Sequence, residues 1–362
     1  MPRFSIVVPC YKAASEPELL EQCLASVARQ TFTDFELILI DDGSPDSSLA
    51  VLAQVAESQP ELRHRFRLIG LSMNAGVCAA RNAGIQAAQG AYLAFLDFDD
   101  LWQPAYLACM EALLRQRPGT QVLLARTDFL RTLGNRVRVH STGSLSYLNS
   151  LDFATFNAWH LLNNFPVAMG SAVVVAQKLY LEQPDLKFDL TLSRTTAEDV
   201  LFGFQLLERR IRPWYVDEPL CVHRRILERS SRGSAAFMHV DERQVNDYIA
   251  ERATNSLMRQ IIAERPEYER ELVACRTRLN LEFDLKREFR QPWHWFGLRR
   301  CLREPRGFKT LVRLHGTQLL AGGPQQVLLQ HYFFMRGSND SAARTRVLKL
   351  LAQPRGDSVA AA

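Results

Sequence analysis

Two aspartates one residue apart, Asp97 and Asp99, close the apolar run at residues 91–96, a spacing that lets a bent turn aim both carboxylates at one ion. Mg²⁺ and Mn²⁺ suit such a pair: they take oxygen ligands, keep water and substrate phosphates in their shell, and commonly use only one or two protein carboxylates. An ion held there could bridge a diphosphate and neutralise charge building on a departing phosphate oxygen. A solvated acidic turn capping the next helix is the competing explanation, and an Asp-x-Asp triplet by itself favours it. A second cluster, Asp41-Asp42-Gly43-Ser44, follows the apolar run at 35–40. Asp and Gly are common turn residues, and Ser44 or Asp46 can simply cap a helix. At a strand end, however, a carboxylate can accept hydrogen bonds from a nucleobase imide or from ribose hydroxyls, while Tyr11 after the first strand can stack on the base. A third pair, Glu198-Asp199, precedes Leu201, Phe202, Leu206 and Leu207 at helical spacing. Favourable interaction with the helix dipole is the simplest account of it.

The elements that must position these groups alternate. Residues 4–8 read as a buried strand and 17–30 as a helix, with Leu20, Cys23, Leu24 and Val27 on one face and Pro17 suited to the first turn. Residues 35–40 form a second strand, 46 to about 58 a capped helix, 66–69 a strand and 76–88 a helix. A strand at 91–96, a helix at 104–116 and a strand at 121–125 continue the pattern. This predicts an α/β fold with a doubly wound, mostly parallel sheet covered on both faces. Ligands of such sheets sit beyond the carboxyl ends of the strands. Pro9-Cys10-Tyr11, 41–44 and 97–100 all fall there. The polar stretch 131–150 reads as a loop or hairpin excursion, 172–176 as a strand after Gly170-Ser171, 198–209 as a helix and 214–216 as a short strand. From 237 onward the pattern is helical and amphipathic, notably over 244–263 and 268–287. The chain thus divides into an α/β domain at 1–232, a helical C-terminal region at 233–352 and a disordered tail at 353–362.

With 362 residues, 47% hydrophobic and 23% charged, the chain is long and apolar enough to build a large core. Seven scattered cysteines without metal-site spacing suit a reducing compartment. The N-terminus runs almost directly into a strand, and no apolar stretch approaches the roughly 20 residues needed to cross a bilayer. A cytoplasmic protein is expected. The net charge of +5 selects no partner by itself, but nine Lys/Arg against Glu288 and Glu304 between 286 and 313 concentrate the basic character near the C-terminus. There Trp293, Trp295, Phe296 and Phe308 interleave with Arg299, Arg300, Arg303, Arg306 and Lys309, a composition suited to peripheral contact with an anionic membrane. A buried helix pair or a dimer contact explains it as well. The stretch lacks a nucleic-acid-binding motif, so no nucleic-acid partner is expected. Gly-x-Gly, Gly-Lys-Ser/Thr and His-Glu-x-x-His do not occur, which sets aside dinucleotide-binding, P-loop and zinc-protease chemistry.

The chain resembles family 2 glycosyltransferases of the GT-A fold in an ordered run of short motifs from about residue 2 to 232. They are Ser5-Ile-Val-Val-Pro-Cys-Tyr11, Ser26-Val-Ala-Arg-Gln-Thr-Phe32, Phe35-Glu-Leu-Ile-Leu-Ile-Asp-Asp-Gly-Ser44, Asn74-Ala-Gly-Val77 and Ala80-Arg-Asn-Ala-Gly84. Gly90-Ala-Tyr-Leu-Ala-Phe-Leu-Asp-Phe-Asp-Asp-Leu-Trp102, Gly170-Ser171, Ala197-Glu-Asp199, and Tyr215-Val-Asp-Glu-Pro-Leu220 before His223-Arg224 complete it. The resemblance implies transfer of a sugar from a nucleotide diphosphate donor, by default UDP, to an acceptor hydroxyl of a glycan or glycolipid with inversion, in surface polysaccharide or glycolipid synthesis. It implies Mn²⁺ or Mg²⁺ on Asp99 with Asp97, a nucleotide against Pro9, Tyr11, Asp42, Arg81 and Asp97, an acceptor beside Gly170, Ser171 and Glu198, and Asp199 as catalytic base. Two departures stand out: Lys12 follows Tyr11 where the family usually has Asn, and no Gln-x-x-Arg-Trp occurs. Processive synthases usually carry the latter, so addition of single sugars is expected. The rivals are a sugar nucleotidyltransferase, whose glycine-rich basic loop Pro9-Cys-Tyr-Lys12 does not match, and a non-catalytic protein of the same fold, which would have no need of Asp99 or Asp199.

Overall fold

The computed structural model describes residues 1–133, 136–141, 146–150, 170–190, 198–226, 249–254 and 341–352, with isolated positions at 153, 259 and 263. The described strands are β1 (Phe4–Cys10), β2 (Phe35–Asp41), β3 (Phe66–Gly70), β4 (Tyr92–Phe95), β5 (Leu101–Trp102), β6 (Val122–Leu133), β7 (Arg136–Ser141), β8 (Val173–Ala176) and β9 (Trp214–Ile226). The helices are α1 (Pro17–Ala28), α2 (Ser48–Ser58), α3 (Val77–Ala87), α4 (Tyr106–Gln116), α5 (Gln177–Glu182), α6 (Glu198–Glu208) and α7 (Ser341–Leu351). The strands form one sheet in the order β3-β2-β1-β4-β8-β6-β9-β5, with β7 paired to β6.

β3, β2, β1 and β4 pair in parallel with one another, as strand–helix alternation demands. Every residue of β1 is buried because helices cover both faces. At β8 the direction reverses: β8 runs antiparallel to β4 and to β6. Ligand sites of open α/β sheets lie beyond the carboxyl ends of the strands where the strand order reverses, which here is between β1, whose successors β2 and β3 lie on one side, and β4 on the other. β1 carries α3 at very short range, since a Cβ on Gly84 would lie 2.3 Å from Val7 Cγ1.

Two elements differ from the sequence expectation. β6 does not stop at 125 but runs to Leu133 and pairs antiparallel with β7, which is the hairpin alternative expected for part of 131–150. β9 spans 13 residues where the sequence suggested three. Asp217-Glu218-Pro219 look like a strand stop, and the structure absorbs them through register shifts against Ala125, Arg126 and Thr127, after which pairing resumes from Cys221. That continuation carries His223 and Arg224 to the rim and gives β5 its antiparallel partner.

α7 packs Ala343, Val347 and Leu350 against Leu101, Leu130, Val139 and Val222. The basic and aromatic segment at 286–313 and the tail from 353 lie outside the described residues, as does most of the helical reading over 244–287. Among the described residues no helix is long and apolar enough to cross a membrane.

Candidate functional site

The ends of β1 and β2 build one flank of the rim. Asp41 accepts the Ser44 N–H at 3.1 Å and its hydroxyl, and Ser44 Oγ in turn accepts the Lys12 N–H at 2.9 Å. Lys12 takes the left-handed φ of 54° and sets its ammonium 5.4 Å over the Tyr11 ring. Tyr11, 39% exposed, is thereby presented at the rim, while Pro9 is buried behind it. Asp42 is buried, and its carboxylate accepts Asn74 Nδ2 at 3.0 Å and the N–H groups of Ala75 and Gly76 at 2.9 and 2.8 Å. Its hydrogen bonds therefore go to the loop that starts α3. Gly43 allows this close approach: its φ is 58°, and a Cβ there would lie 2.2 Å from the Met73 carbonyl carbon.

The turn after β4 concentrates charge. Ser171 Oγ accepts the Asp97 N–H at 3.0 Å and donates its proton to Asp100, so the Gly170–Ala172 turn is tied to the acidic turn. Trp102 Nε1 fixes the same segment by donating to the Ser171 carbonyl at 2.6 Å. Asp100 is fully buried and accepts the Arg224 N–H at 2.8 Å and His223 Nδ1–H at 3.0 Å. Burial would raise its pKa, but the His223 charge and the hydrogen bonds from His223, Ser171 and Arg224 outweigh that and hold it below the carboxylate range. His223 moves the other way: burial disfavours its charge, yet Asp100, Asp99 and Asp97 push it up to about 9. Arg224 donates to the Asp99 carbonyl, to Gln22 and, at 3.0 Å, to the Leu19 carbonyl, pinning the turn to α1.

Asp99 is left with surplus charge around it. Burial, then the charges of Asp100 and Asp97, push its carboxyl up to about 7, against the pull of His223 and Arg224. A divalent cation would relieve that crowding, so the donor set fits Mg²⁺ or Mn²⁺. Among the described residues no three His, Cys, Asp or Glu side chains form a complete cage. An ion here would draw on Asp99 and Asp97 and fill its shell with water and phosphate.

Arg81 connects this turn to the third acidic pair. It rises from α3 fully buried, donates Nη2–H to Asp97 Oδ1 at 2.7 Å and lies 3.4 Å from Glu198 Oε1 through Nη1. Its guanidinium sits 5.1 Å over the Phe188 ring. Gly170 touches the same pair, since a Cβ there would lie 2.7 Å from Arg81 Nη2 and 3.0 Å from Asp97 Oδ2. Asp199 Oδ1 accepts the Val200 N–H at 2.8 Å at the start of α6, where the helix dipole favours negative charge.

The structure thus brings Arg81, Asp97, Gly170, Ser171 and Glu198 together, sets Asp99 on the same turn, and places Pro9, Tyr11 and Asp42 on the adjoining flank. Asp100, His223 and Arg224 were given no role by sequence reasoning. The available signal was His223-Arg224 following the apolar 220–222, because charged side chains entering a core require partners.

A sheet parallel over β3-β2-β1-β4 and antiparallel at β8, with an acidic turn after β4, is an architecture of the GT-A type. Residues 5–178 match the sequence profile of glycosyl transferase family 2. The chain is similar to that family over those residues, a little under half of its length. It is 38% identical over 216 residues to the succinoglycan biosynthesis protein ExoW of Rhizobium meliloti, covering 56% of this chain and 62% of that one. It is 29% identical over 192 residues to ExoO of the same organism, also named a succinoglycan biosynthesis protein, covering 53% and 52%. The match therefore spans about half to three fifths of the length of these curated relatives. Among solved structures, Staphylococcus aureus TarS (residues 1–349, in complex with UDP) shares the fold with a TM-score of 0.53 at 18% identity, covering 93% of this chain and 92% of that one.

Proposed function

We propose that the chain is a metal-dependent, inverting glycosyltransferase that moves single sugars from a nucleoside diphosphate donor, with UDP the first to test, onto a hydroxyl of a glycan or glycolipid. The observation that carries this reading is that Asp97 and Glu198 meet on one guanidinium. The diphosphate-side turn and the helix that presents Asp199 are therefore only one arginine head apart. The names of ExoO and ExoW support a place in surface polysaccharide assembly, and the UDP carried by TarS supports the choice of donor base. A cytoplasmic supply of nucleotide sugar goes with this reading.

Tyr11 would stack on the base, Asp99 and Asp97 would hold Mn²⁺ or Mg²⁺, and Asp199 would take the acceptor proton as its oxygen attacks the anomeric carbon. A bound divalent ion would supply charge neutralisation at the departing diphosphate. Gly170 and Ser171 hold the turn against which the acceptor would lie, and a base so positioned typically contributes about 10²–10⁴-fold. The test is hydrolysis and transfer with a panel of nucleotide sugars, by the parent, Asp199→Asn and Glu198→Gln. Loss of transfer in Asp199→Asn with UDP affinity within a few-fold of the parent is expected. Retained activity in Asp199→Asn with loss in Glu198→Gln would exchange the two roles, and full activity in both would reduce the pair to a helix cap.

A further inference from the structure

The sequence run Ala80-Arg-Asn-Ala-Gly84 lies on α3, and its three distinctive residues, Arg81, Asn82 and Gly84, each have structural partners. Gly84 seats the helix on β1. Asn82 clamps the backbone of Phe188 from both sides, its Nδ2 donating to the carbonyl at 2.8 Å and its Oδ1 accepting the N–H at 3.0 Å. Arg81 reaches Asp97 and Glu198 beneath the Gly170 turn and rests on the ring of that same Phe188. Asp42 in turn accepts the N–H groups of Ala75 and Gly76 just before the helix. Nothing in this arrangement offers the guanidinium to a ligand: Arg81 is 1% exposed and flanked by two carboxylates.

We infer that Arg81 is a positioning residue rather than a nucleotide contact, holding the donor-side carboxylate of Asp97 and the acceptor-side carboxylate of Glu198 in one fixed relation. The inference rests on the glycosyltransferase reading. Its physical content is that two carboxylates around one buried cation are locked in distance and direction, with a geometry only a planar fork supplies to both at once. Asp199, next in sequence to Glu198, inherits that placement. Loss of Arg81 should therefore misplace reacting groups while leaving the base-binding flank at Tyr11 untouched.

The test compares the full-length parent with Arg81→Lys and Arg81→Gln, measuring kcat and KM for the nucleotide sugar that the parent turns over, UDP affinity by calorimetry with Mn²⁺, and thermal melting. A misplacement on the order of 1 Å costs about 10²-fold, so kcat is expected to fall by roughly that factor in Arg81→Gln. UDP affinity should stay within about threefold, and Arg81→Lys should recover part of the rate because it restores the charge without the fork. Adding Glu198→Gln to Arg81→Gln should raise the melting temperature above that of Arg81→Gln alone, since it removes one of the two like charges that faced the guanidinium. A fall in UDP affinity as large as the fall in kcat, in whichever variant folds, overturns the inference, as does an unchanged kcat. A parent that neither binds UDP nor hydrolyses any nucleotide sugar overturns the functional reading and the inference with it, an outcome distinct from the other two.

Discussion

Removing Arg346 should loosen the C-terminal helix and lower the stability of the part of the sheet it covers. Arg346 donates from Nε and Nη2 to the two oxygens of Asp128 at 3.1 and 3.0 Å, a bidentate pair that joins α7 to β6. The partners are unequal: the Asp128 side chain is 0% exposed and that of Arg346 31%. Arg346→Ala strands a carboxylate in the interior, whereas Asp128→Asn leaves a guanidinium that can still reach water. Stranding one member of a fully buried pair costs about 3–5 kcal/mol, and the partial exposure of the arginine lets water screen the loss, so about 2 kcal/mol is expected for Arg346→Ala. With an unfolding entropy of about 2.1 cal/mol/K per residue over 362 residues, that is a fall of roughly 3 °C in Tm. Asp128→Asn should cost less than half as much, because it keeps the shape of the side chain and one acceptor. Hydrogen exchange over 341–352 reads the helix directly and should accelerate in Arg346→Ala. The reasoning is refuted if Asp128→Asn is the more damaging change, or if Arg346→Ala melts within 1 °C of the parent with unaltered exchange in that helix.

Gly170→Ala should place a methyl 2.7 Å from Arg81 Nη2. Overpacking of this kind costs about 1–3 kcal/mol, and here it also separates Arg81 from Asp97, so the rate of transfer should fall more than UDP affinity does; equal losses would mean that the turn belongs to the nucleotide site. Mn²⁺ binding should release a proton from the chain near pH 6.5. Asp99 has its proton affinity raised towards 7 in the ion-free site, and metal ligands bind deprotonated. Calorimetry of Mn²⁺ binding in two buffers of different ionisation heat should show that release in the parent and not in Asp99→Asn, and identical heats in both would remove Asp99 from the ion.

How far the site could be read from the sequence depended on whether a group's partner lay near it in the chain. The strand ends that carry Tyr11, Asp42 and Asp97 were legible because short apolar runs ended abruptly, the first in Pro9-Cys10-Tyr11 and the other two in acids, and parallel alternation puts such ends on one rim. β9 was legible only in its first three residues, because Asp217-Glu218-Pro219 are strand breakers by type and become tolerable only through the register shifts that β6 supplies from almost a hundred residues away. The part played by Asp100, His223 and Arg224 was hidden for the same reason: Asp100 meets His223 across 123 positions, and Arg224 reaches Gln22 across 202. Acidic residues in a turn are ordinary, as is a histidine in a strand. Only when the fold closes does Asp100 acquire the cation that keeps it charged, leaving neighbouring Asp99 as the carboxylate with a raised proton affinity. The distinction that matters chemically, between an aspartate already satisfied by the protein and one that burial and its acidic neighbours leave with a raised proton affinity, is therefore drawn by β9, the strand whose continuation the sequence concealed.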